Sequence, residues 1–153
     1  MRCYTTYKEN ILESDQATSL YLFLQDSIEW EDGVKSKKGY TRKAKPLDIG
    51  DIPEVDHAII ESLSKLTTTK YTILGVYLNY YQDGNMWTPN HSHKGTHQLV
   101  ISLGQTRQLD VSKKSYKMAN GSAILFGGSI HGVPKDTNIT EGRISIATFM
   151  IPV

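Results

Sequence analysis

The sequence lacks, or has little of, several features that would each indicate a particular class of protein. Cys3 is the sole cysteine of 153 residues, so an internal disulfide is excluded, which fits a reducing compartment. Seventeen Lys and Arg against sixteen Asp and Glu leave no global field for nucleic acid, so any basic surface must be local. No apolar run approaches the ~20 residues of a membrane helix, and the N-terminus MRCYTTYKEN has no hydrophobic signal region. We therefore expect a soluble intracellular protein, in the cytoplasm or nucleus, without a membrane partner.

Internal repeats, low-complexity tracts and a linker to a second domain are also missing. A chain of this length is most simply one domain with a sizeable core, so we expect a single domain over residues 1–153. Residues 1–70 carry helical patterns and a basic loop. Residues 71–153 carry strand patterns and the candidate site. The sequence contains no indication of oligomeric state.

Two helices are predicted in the N-terminal part, over residues 14–28 and 51–66. Ser14 is a plausible N-cap of the first, and Pro53 lies in the first turn of the second. The apolar residues at helical spacing are Leu20, Phe23, Leu24 and Ile28 in the first helix, and Val55, Ile59, Leu63 and Leu66 in the second. The basic, Gly- and Pro-containing residues 33–51 between them predict an exposed loop or a weak hairpin.

After Lys70 the pattern changes to strands rich in β-branched and aromatic residues. The predicted strands are residues 71–81, 97–104, 106–111, 121–128 and 143–153, with a shorter candidate at 113–118. Helices followed by a run of short strands predict an α+β domain whose helices back a sheet sandwich or barrel.

Three of the five histidines lie within NHSHKGTHQ, residues 90–98. His91 and His93 are two positions apart, so both point to the same face of an extended segment. His131 follows a predicted strand at a glycine-rich turn and can join them if the two strands are neighbours. Neutral imidazole suits iron, zinc, copper or nickel. An isolated H-x-H is also found in solvated polar turns, so the spacing alone leaves both interpretations open.

The two remaining histidines have simpler interpretations. His97 is expected to support the cluster from outside or to lie on the surface. His57 is expected on the face of the second helix.

The chain around these histidines resembles the AlkB-like branch of the Fe(II)/2-oxoglutarate dioxygenases, and the resemblance extends over most of the chain. The matching segments, in order, are SIEW (27–30), GYTRKAKPLDIGD (39–51), NYYQDG (79–84), His91, SLGQTR (102–107), HGVPK (131–135) and RISIATF (143–149). Each match is weak alone, but their order and spacing follow the family.

The resemblance implies a fold, a cofactor and a set of site residues. The fold would be α+β, a double-stranded β-helix (jelly-roll, cupin-like) core backed by two N-terminal helices. The cofactor and cosubstrates would be Fe(II), 2-oxoglutarate and O2. His91 and His131 would be iron ligands, with His93 at the position of the third. The oxoglutarate-binding residues would be Asn79, Tyr81, Arg143 and Ser145, with Arg143 as a bidentate partner of a carboxylate.

The sequence departs from the family pattern at three places. His93 replaces the aspartate of H-x-D, which adds one unit of positive charge to an iron site. Phe149 stands where the family has a second arginine, and Ser145 where an asparagine is usual. Gly95 replaces the acidic residue that helps repair enzymes of the family to read a damaged base.

The candidate substrate residues are Tyr40, Arg42, Lys43 and Trp87. The local basic loop 35–45 could bind the phosphates of DNA or RNA, although lysine-rich loops are commonly just solvated. The expected activity is hydroxylation or oxidative demethylation, with an alkylated nucleic-acid base as the substrate. The alternatives are a hydroxylase of protein or small molecules, a cupin-like three-histidine protein, and a non-catalytic relative that keeps the fold.

Overall fold

The computed structural model describes residues 4–33 and 41–153. Cys3, Tyr40 and the greater part of the basic loop lie outside these ranges. The two predicted helices are present as α1, Ser14–Ser27, and α2, Pro53–Leu66. In α2 the proline opens the first turn, with Glu54 and Asp56 beside it, and Lys65 lies in the last turn, an arrangement that complements the helix dipole. No helix of the described part is long and apolar enough to span a bilayer.

The prediction for the buried face of α1 was wrong at one position. Ala17, Leu20 and Leu24 are buried against the sheet, whereas Phe23 is 45% exposed. Phe23 lies roughly 100° around the helix axis from the centre of that stripe. Tyr21, on the other flank of the stripe, packs against the core instead.

Eleven strands are present among the described residues. They are β1 (Thr6–Lys8), β2 (Glu31–Asp32), β3 (Lys43–Leu47), β4 (Tyr71–Tyr81), β5 (Thr88–His91), β6 (His97–Gly104), β7 (Arg107–Val111), β8 (Lys114–Met118), β9 (Ala123–Phe126), β10 (His131–Val133) and β11 (Arg143–Pro152). They form a seven-stranded sheet, β1-β9-β6-β11-β4-β3-β2, and a four-stranded sheet, β5-β10-β7-β8. Each strand pairing described is antiparallel.

Two sequence expectations need correction. The segment 43–47, expected in an exposed loop or a weak hairpin, does form a short hairpin with β2, but it is not an isolated hairpin because it also pairs with β4 in the larger sheet. His131, placed at a turn, is the first residue of β10. Both strands owe their conformation to sheet neighbours rather than to their own sequence, because KAKPL and HGV lack a strand-like pattern of apolar residues.

The central strands of the larger sheet have two chemically different faces. On β11, Ile144, Ile146 and Met150 pack towards α1 and α2 in the main apolar core. The alternate residues Arg143 and Phe149 face the smaller sheet and line a cavity between the sheets. The fold is therefore α+β, a double-stranded β-helix with two N-terminal helices, as expected.

Candidate metal centre

His91, His93 and His131 lie together at one end of the smaller sheet. His91, at the end of β5, is the direct cross-strand partner of His131 at the start of β10, and His93 follows two residues later. The candidate ligand nitrogens of the three rings lie within 4.8 Å of one another. Imidazole nitrogens bind such metals at about 2.0–2.1 Å, so small side-chain rotations are enough to enclose one ion.

Two of the three rings are held in the orientation that metal binding needs. Nδ1 of His91 is 2.8 Å from the carbonyl oxygen of Pro89, and Nδ1 of His131 is 2.9 Å from that of Ser129. A carbonyl only accepts, so each Nδ1 carries the proton and donates. In the neutral form of each ring, Nε2 is then unprotonated and its lone pair is available to a metal.

The surroundings favour the neutral form of two of the three histidines, His93 and His131. Burial, reinforced by the neighbouring His91 and His93, lowers the pKa of His131 to about 4, although its hydrogen bond to Ser129 acts in the opposite direction. Burial and the nearby His91 also lower the pKa of His93. Neutral imidazole is the form that binds a cation. Among the described residues, the cluster includes no carboxylate, as expected from the replacement of aspartate by His93.

Two phenylalanine rings pack against the cluster from the larger sheet. Phe149 on β11 lies edge-on to His93, with 4.9 Å between ring centroids. Phe126 on β9 lies 4.9 Å from His131. These contacts restrict ring rotation and exclude water from one side of the cluster.

The histidines open into a cavity of about 870 Å³ between the sheets. Its wall includes the four residues expected to hold the cosubstrate, which are Asn79, Tyr81, Arg143 and Ser145. The strand register brings them together, since Arg143 is paired with Tyr81 and Ser145 with Asn79 across β11 and β4. Side chains of directly paired residues emerge on the same face of a sheet.

Arg143 is a buried cation with unused hydrogen-bonding capacity. It is 1% exposed, its Nε donates to Ser102 Oγ at 2.8 Å, and its guanidinium lies 5.5 Å from the centre of the Tyr81 ring. Its Nη2 is buried without a partner among the described residues. Burial lowers the pKa of Arg143 to about 10, so it is still charged at pH 7. A buried charge of this kind is stabilised by an anion, and a carboxylate matches its fork geometry.

The neighbouring polar residues form a short network. Arg42 Nε donates to Asn79 Oδ1 at 2.9 Å, and Asn79 Nδ2 is 3.4 Å from Ser145 Oγ. The Tyr81 hydroxyl is 2.8 Å from Thr88 Oγ1. Arg42, predicted as a substrate residue in the basic loop, therefore lies in the cavity wall beside the expected cosubstrate residues.

Two of the other candidate substrate residues, Lys43 and Trp87, are not among the described residues of the cavity wall. Lys43 forms an ion pair with Asp32. Trp87 is absent from the cavity wall formed by the described residues, and its backbone N–H donates to the Thr41 carbonyl oxygen. Tyr40 lies outside the described ranges.

Neither of the two remaining histidines joins the cluster. His97 is buried, with Nδ1 2.8 Å from the Tyr71 hydroxyl, and His57 is exposed on α2.

Arg107 is a residue whose role the sequence did not reveal. Buried beside Tyr81, it donates to the carbonyl oxygens of Asp83, Met86 and Pro134 at 2.9–3.1 Å. It thereby connects the loop after β4 to the segment after β10. Its position in SLGQTR was the sole signal, and it did not distinguish a structural role from a binding role.

Comparison of sequences gives no assignment, whereas comparison of structures does identify similar folds. No protein-family model and no curated protein matches the chain. HygX from Streptomyces hygroscopicus, solved with nickel and 2-oxoglutarate bound, superposes with a TM-score of 0.75 at 10% identity, covering 99% of this chain and 84% of that one.

Two further solved structures are similar. A Pseudomonas putida prolyl-4-hydroxylase gives a TM-score of 0.69 at 12% identity, covering 95% of this chain and 91% of that one. An oxidoreductase of the 2OG-Fe(II) oxygenase family from Burkholderia pseudomallei gives 0.65 at 15%, covering 95% and 84%. The chain therefore shares its double-stranded β-helix fold with 2-oxoglutarate/Fe(II) oxygenases.

Proposed function

We propose that this protein is an Fe(II)/2-oxoglutarate-dependent dioxygenase with three histidine ligands. The observation that carries the proposal is one cavity holding both a cluster of three histidines and a buried cation, Arg143, whose Nη2 has no hydrogen-bond partner among the described residues. A metal site alone would suit many proteins. A metal site that shares its cavity with a buried guanidinium, one nitrogen of which has no partner among the described residues, suits a reaction in which a carboxylate-bearing cosubstrate also reaches the metal.

The residues of this chain would have separate tasks. His91, His93 and His131 would hold the iron, which when bound supplies O2 activation coupled to conversion of 2-oxoglutarate to succinate and CO2, with one oxygen atom inserted into a substrate C–H bond. Arg143 would bind the carboxylate remote from the metal. Asn79 and Ser145 lie beside that position and would orient the cosubstrate by hydrogen bonds. The apolar walls would keep water from the reacting atoms.

Direct measurement of cosubstrate consumption tests this function. Purified protein with Fe(II), O2 and 2-oxoglutarate is expected to form succinate, measured by NMR, even without a substrate. His91→Ala should abolish turnover because a metal ligand is lost. Arg143→Lys, which keeps the charge but loses the planar fork, should raise the KM for 2-oxoglutarate about tenfold or more.

The matched control is His57→Ala, because His57 is exposed on α2 and far from the cluster in sequence. It should leave turnover unchanged. A KM for 2-oxoglutarate that is unchanged in Arg143→Lys would contradict the assignment of Arg143 to the cosubstrate carboxylate, and no succinate from either wild type or His93→Asp would contradict 2-oxoglutarate as the cosubstrate.

The missing carboxylate favours a second candidate, a binding protein that keeps the fold but has lost catalysis. An aspartate in place of His93 would lower the charge of the metal site by one unit. If wild-type protein forms no succinate but His93→Asp does, the binding protein is the correct interpretation. If wild type turns over and His93→Asp alters the rate, the three-histidine oxygenase stands.

The nucleic-acid substrate and the AlkB-like subtype remain predictions. The two described members of the basic loop that were assigned to phosphate binding have partners inside the protein, Lys43 with Asp32 and Arg42 with Asn79. A fluorescence-polarisation titration with single-stranded DNA and RNA tests the prediction. Binding that disappears in Arg42→Ala and Lys43→Ala would support it.

A further inference from the structure

Gln98 is a buried amide that the proposed chemistry does not use. It lies on β6, is 2% exposed and lines the cavity, yet its Nε2 has no hydrogen-bond partner among the described residues. Leaving a buried amide unpaired lowers the stability of the folded protein. An apolar residue would fill the position without that cost, so a buried amide here is consistent with a ligand that completes its hydrogen bonding.

The strand register locates this amide relative to the metal centre. Gln98 is paired with Phe149 on one side and with Phe126 on the other. All three side chains therefore emerge on the face of the larger sheet that is turned towards the smaller sheet, and Gln98 and Phe149 line the cavity. The two phenylalanines pack against His93 and His131 respectively, so Gln98 lies beneath the histidine cluster.

Gln98 and Arg143 lie at different ends of the cavity. Phe149, the partner of Gln98, is six residues along β11 from Arg143, a separation of about 20 Å along the strand. A carboxylate held by Arg143 is therefore a different group from the one that Gln98 would bind.

The wall next to Gln98 is apolar and partly open. Gly75 lies opposite Phe149, and a Cβ added there would meet only Tyr77 Cε2, at 3.6 Å. A bulge in β4 leaves Leu74 without a cross-strand partner on β11, so it reaches the cavity rim while 56% exposed. Tyr77 packs edge-on against Phe149, with 5.5 Å between centroids.

The acidic residues of the cavity wall do not adjoin Gln98. Glu31 and Asp32 on β2 are in register, through β3, with Asn79 and Tyr80 on β4, at the Arg143 end of the cavity. Lys94 is the cation on the histidine side of the cavity wall. The immediate surroundings of Gln98 are two phenylalanines, a glycine and apolar side chains, which match an uncharged group.

We propose that Gln98, Phe149, Gly75, Leu74 and Tyr77 form the substrate-binding part of the cavity, here called the Gln98 subsite, and that it takes a neutral, apolar group bearing an amide or ketone oxygen. This inference rests on the proposed oxygenase function, because the ligand is a substrate only if the protein is an enzyme. Binding of the ligand to the subsite does not itself depend on catalysis. The oxygen accepts from the Gln98 amide, and the apolar group lies on Phe149 in the space that Gly75 leaves free. The arrangement presents that group to the metal centre.

An apolar group with an amide oxygen occurs both in peptides and in small molecules, so the experiment has two arms. Calorimetric titrations of the Fe(II)- and 2-oxoglutarate-loaded protein, kept free of oxygen, use N-acetyl-leucine methylamide for the first and ε-caprolactam for the second. The arm that binds more tightly identifies the source. N-acetyl-leucine, which carries a free carboxylate, and a single-stranded oligothymidylate are the charged comparison ligands.

The variants separate the subsite from the rest of the fold. Gln98→Leu should weaken amide binding about tenfold, the loss of one hydrogen bond. It should also raise the Tm of the ligand-free protein by about 2–4 °C, because the unpaired amide is removed. Gly75→Val should block binding by filling the space opposite Phe149. Gln108→Leu, the same change at an exposed glutamine of β7, should alter neither quantity.

The outcomes discriminate between this inference and the proposed function. Amide binding that is as tight in Gln98→Leu and Gly75→Val as in wild type would overturn the subsite, as would no binding of either amide or tighter binding of the oligothymidylate. If wild type forms no succinate but binds an amide through Gln98, the oxygenase proposal fails and the subsite stands.

Discussion

The two faces of the seven-stranded sheet share their strands but differ in chemistry. On the helix side, Leu78, Ile101 and Ile144 are fully buried in apolar surroundings. On the cavity side, the buried residues include Gln98 and Arg143, and each has a polar nitrogen without a partner among the described residues. Apolar burial stabilises the folded chain, whereas an unpaired buried nitrogen lowers its stability. The comparison indicates that one face of each strand maintains the fold and the other face is organised for ligands.

The contrast between the two faces is not absolute, because both faces have buried polar atoms without a partner among the described residues. Among residues 4–33 and 41–153, the unpartnered buried atoms on the helix side are the hydroxyls of Ser62 and Thr148. A hydroxyl costs less to bury than a guanidinium or a primary amide, since it has one hydrogen to satisfy. Between the sheets, the unpartnered atoms of the same ranges belong to Gln98, Arg107 and Arg143, which have more donors to satisfy.

The largest effect is expected from removing a residue at the metal centre. His131→Ala should lower the affinity for Fe(II) or Zn²⁺ by more than a hundredfold, because loss of a supporting partner alone commonly costs 10- to 100-fold. Competition with a chromophoric chelator measures the affinity. His57→Ala is the control and should bind as wild type does. If the metal affinity of His131→Ala is within threefold of that of wild type, His131 is not a metal ligand.

Two adjacent residues of β11 provide the sharpest test of the two faces. Ile144→Ala should lower the free energy of unfolding by about 2–5 kcal/mol, the range for truncation of a buried aliphatic side chain. Arg143→Met should leave stability unchanged or raise it, while weakening 2-oxoglutarate binding about a hundredfold. Chemical denaturation and calorimetry measure the two quantities. Equal loss of stability in both variants would break the proposed division between the faces.

Arg107 tests whether each arginine between the sheets serves a ligand. Its three hydrogen bonds go to backbone carbonyls at 2.9–3.1 Å. Arg107→Met should therefore lower the free energy of unfolding by about 2–4 kcal/mol, because the three carbonyls lose their donor. The same substitution at Arg143 is the matched control and should have no such effect. A stable Arg107→Met protein with weakened 2-oxoglutarate binding would move Arg107 into the binding site.

The sequence predicted the fold where strands carried their own pattern. Segments such as YTILGVYLNYY and RISIATFMIPV are long and rich in β-branched residues, so the structure has β4 and β11 almost where expected. TPNH and HGV, which form β5 and β10, have three or four residues and no such pattern. Their conformation comes from pairing with neighbours, which one sequence does not reveal.

The residues of the candidate site were predicted only in part from the sequence. The spacing of His91 and His93, together with the family resemblance, identified residues that the structure brings together with His131. Gln98 was missed because HQLVISLG is buried on both faces, so no alternation marks its side chain as inward. Lys43 was assigned to substrate because Lys-rich loops attract phosphate, but its partner Asp32 lies eleven residues earlier, on a strand that was not predicted.

The smallest expected effect concerns the ring that packs against His93. Phe149→Leu keeps an apolar side chain but removes an edge-to-face contact worth about 0.5–1.5 kcal/mol. His93 would then sample more orientations in the metal-free protein, so metal affinity should fall by up to about tenfold, measured by the same chelator competition. Phe23→Leu, at the exposed phenylalanine of α1, is the control and should show no change. If Phe149→Leu binds metal as tightly as wild type, then the hydrogen-bonded rings of His91 and His131 suffice to organise the centre. His93 would in that case be a ligand positioned by the metal rather than by the protein.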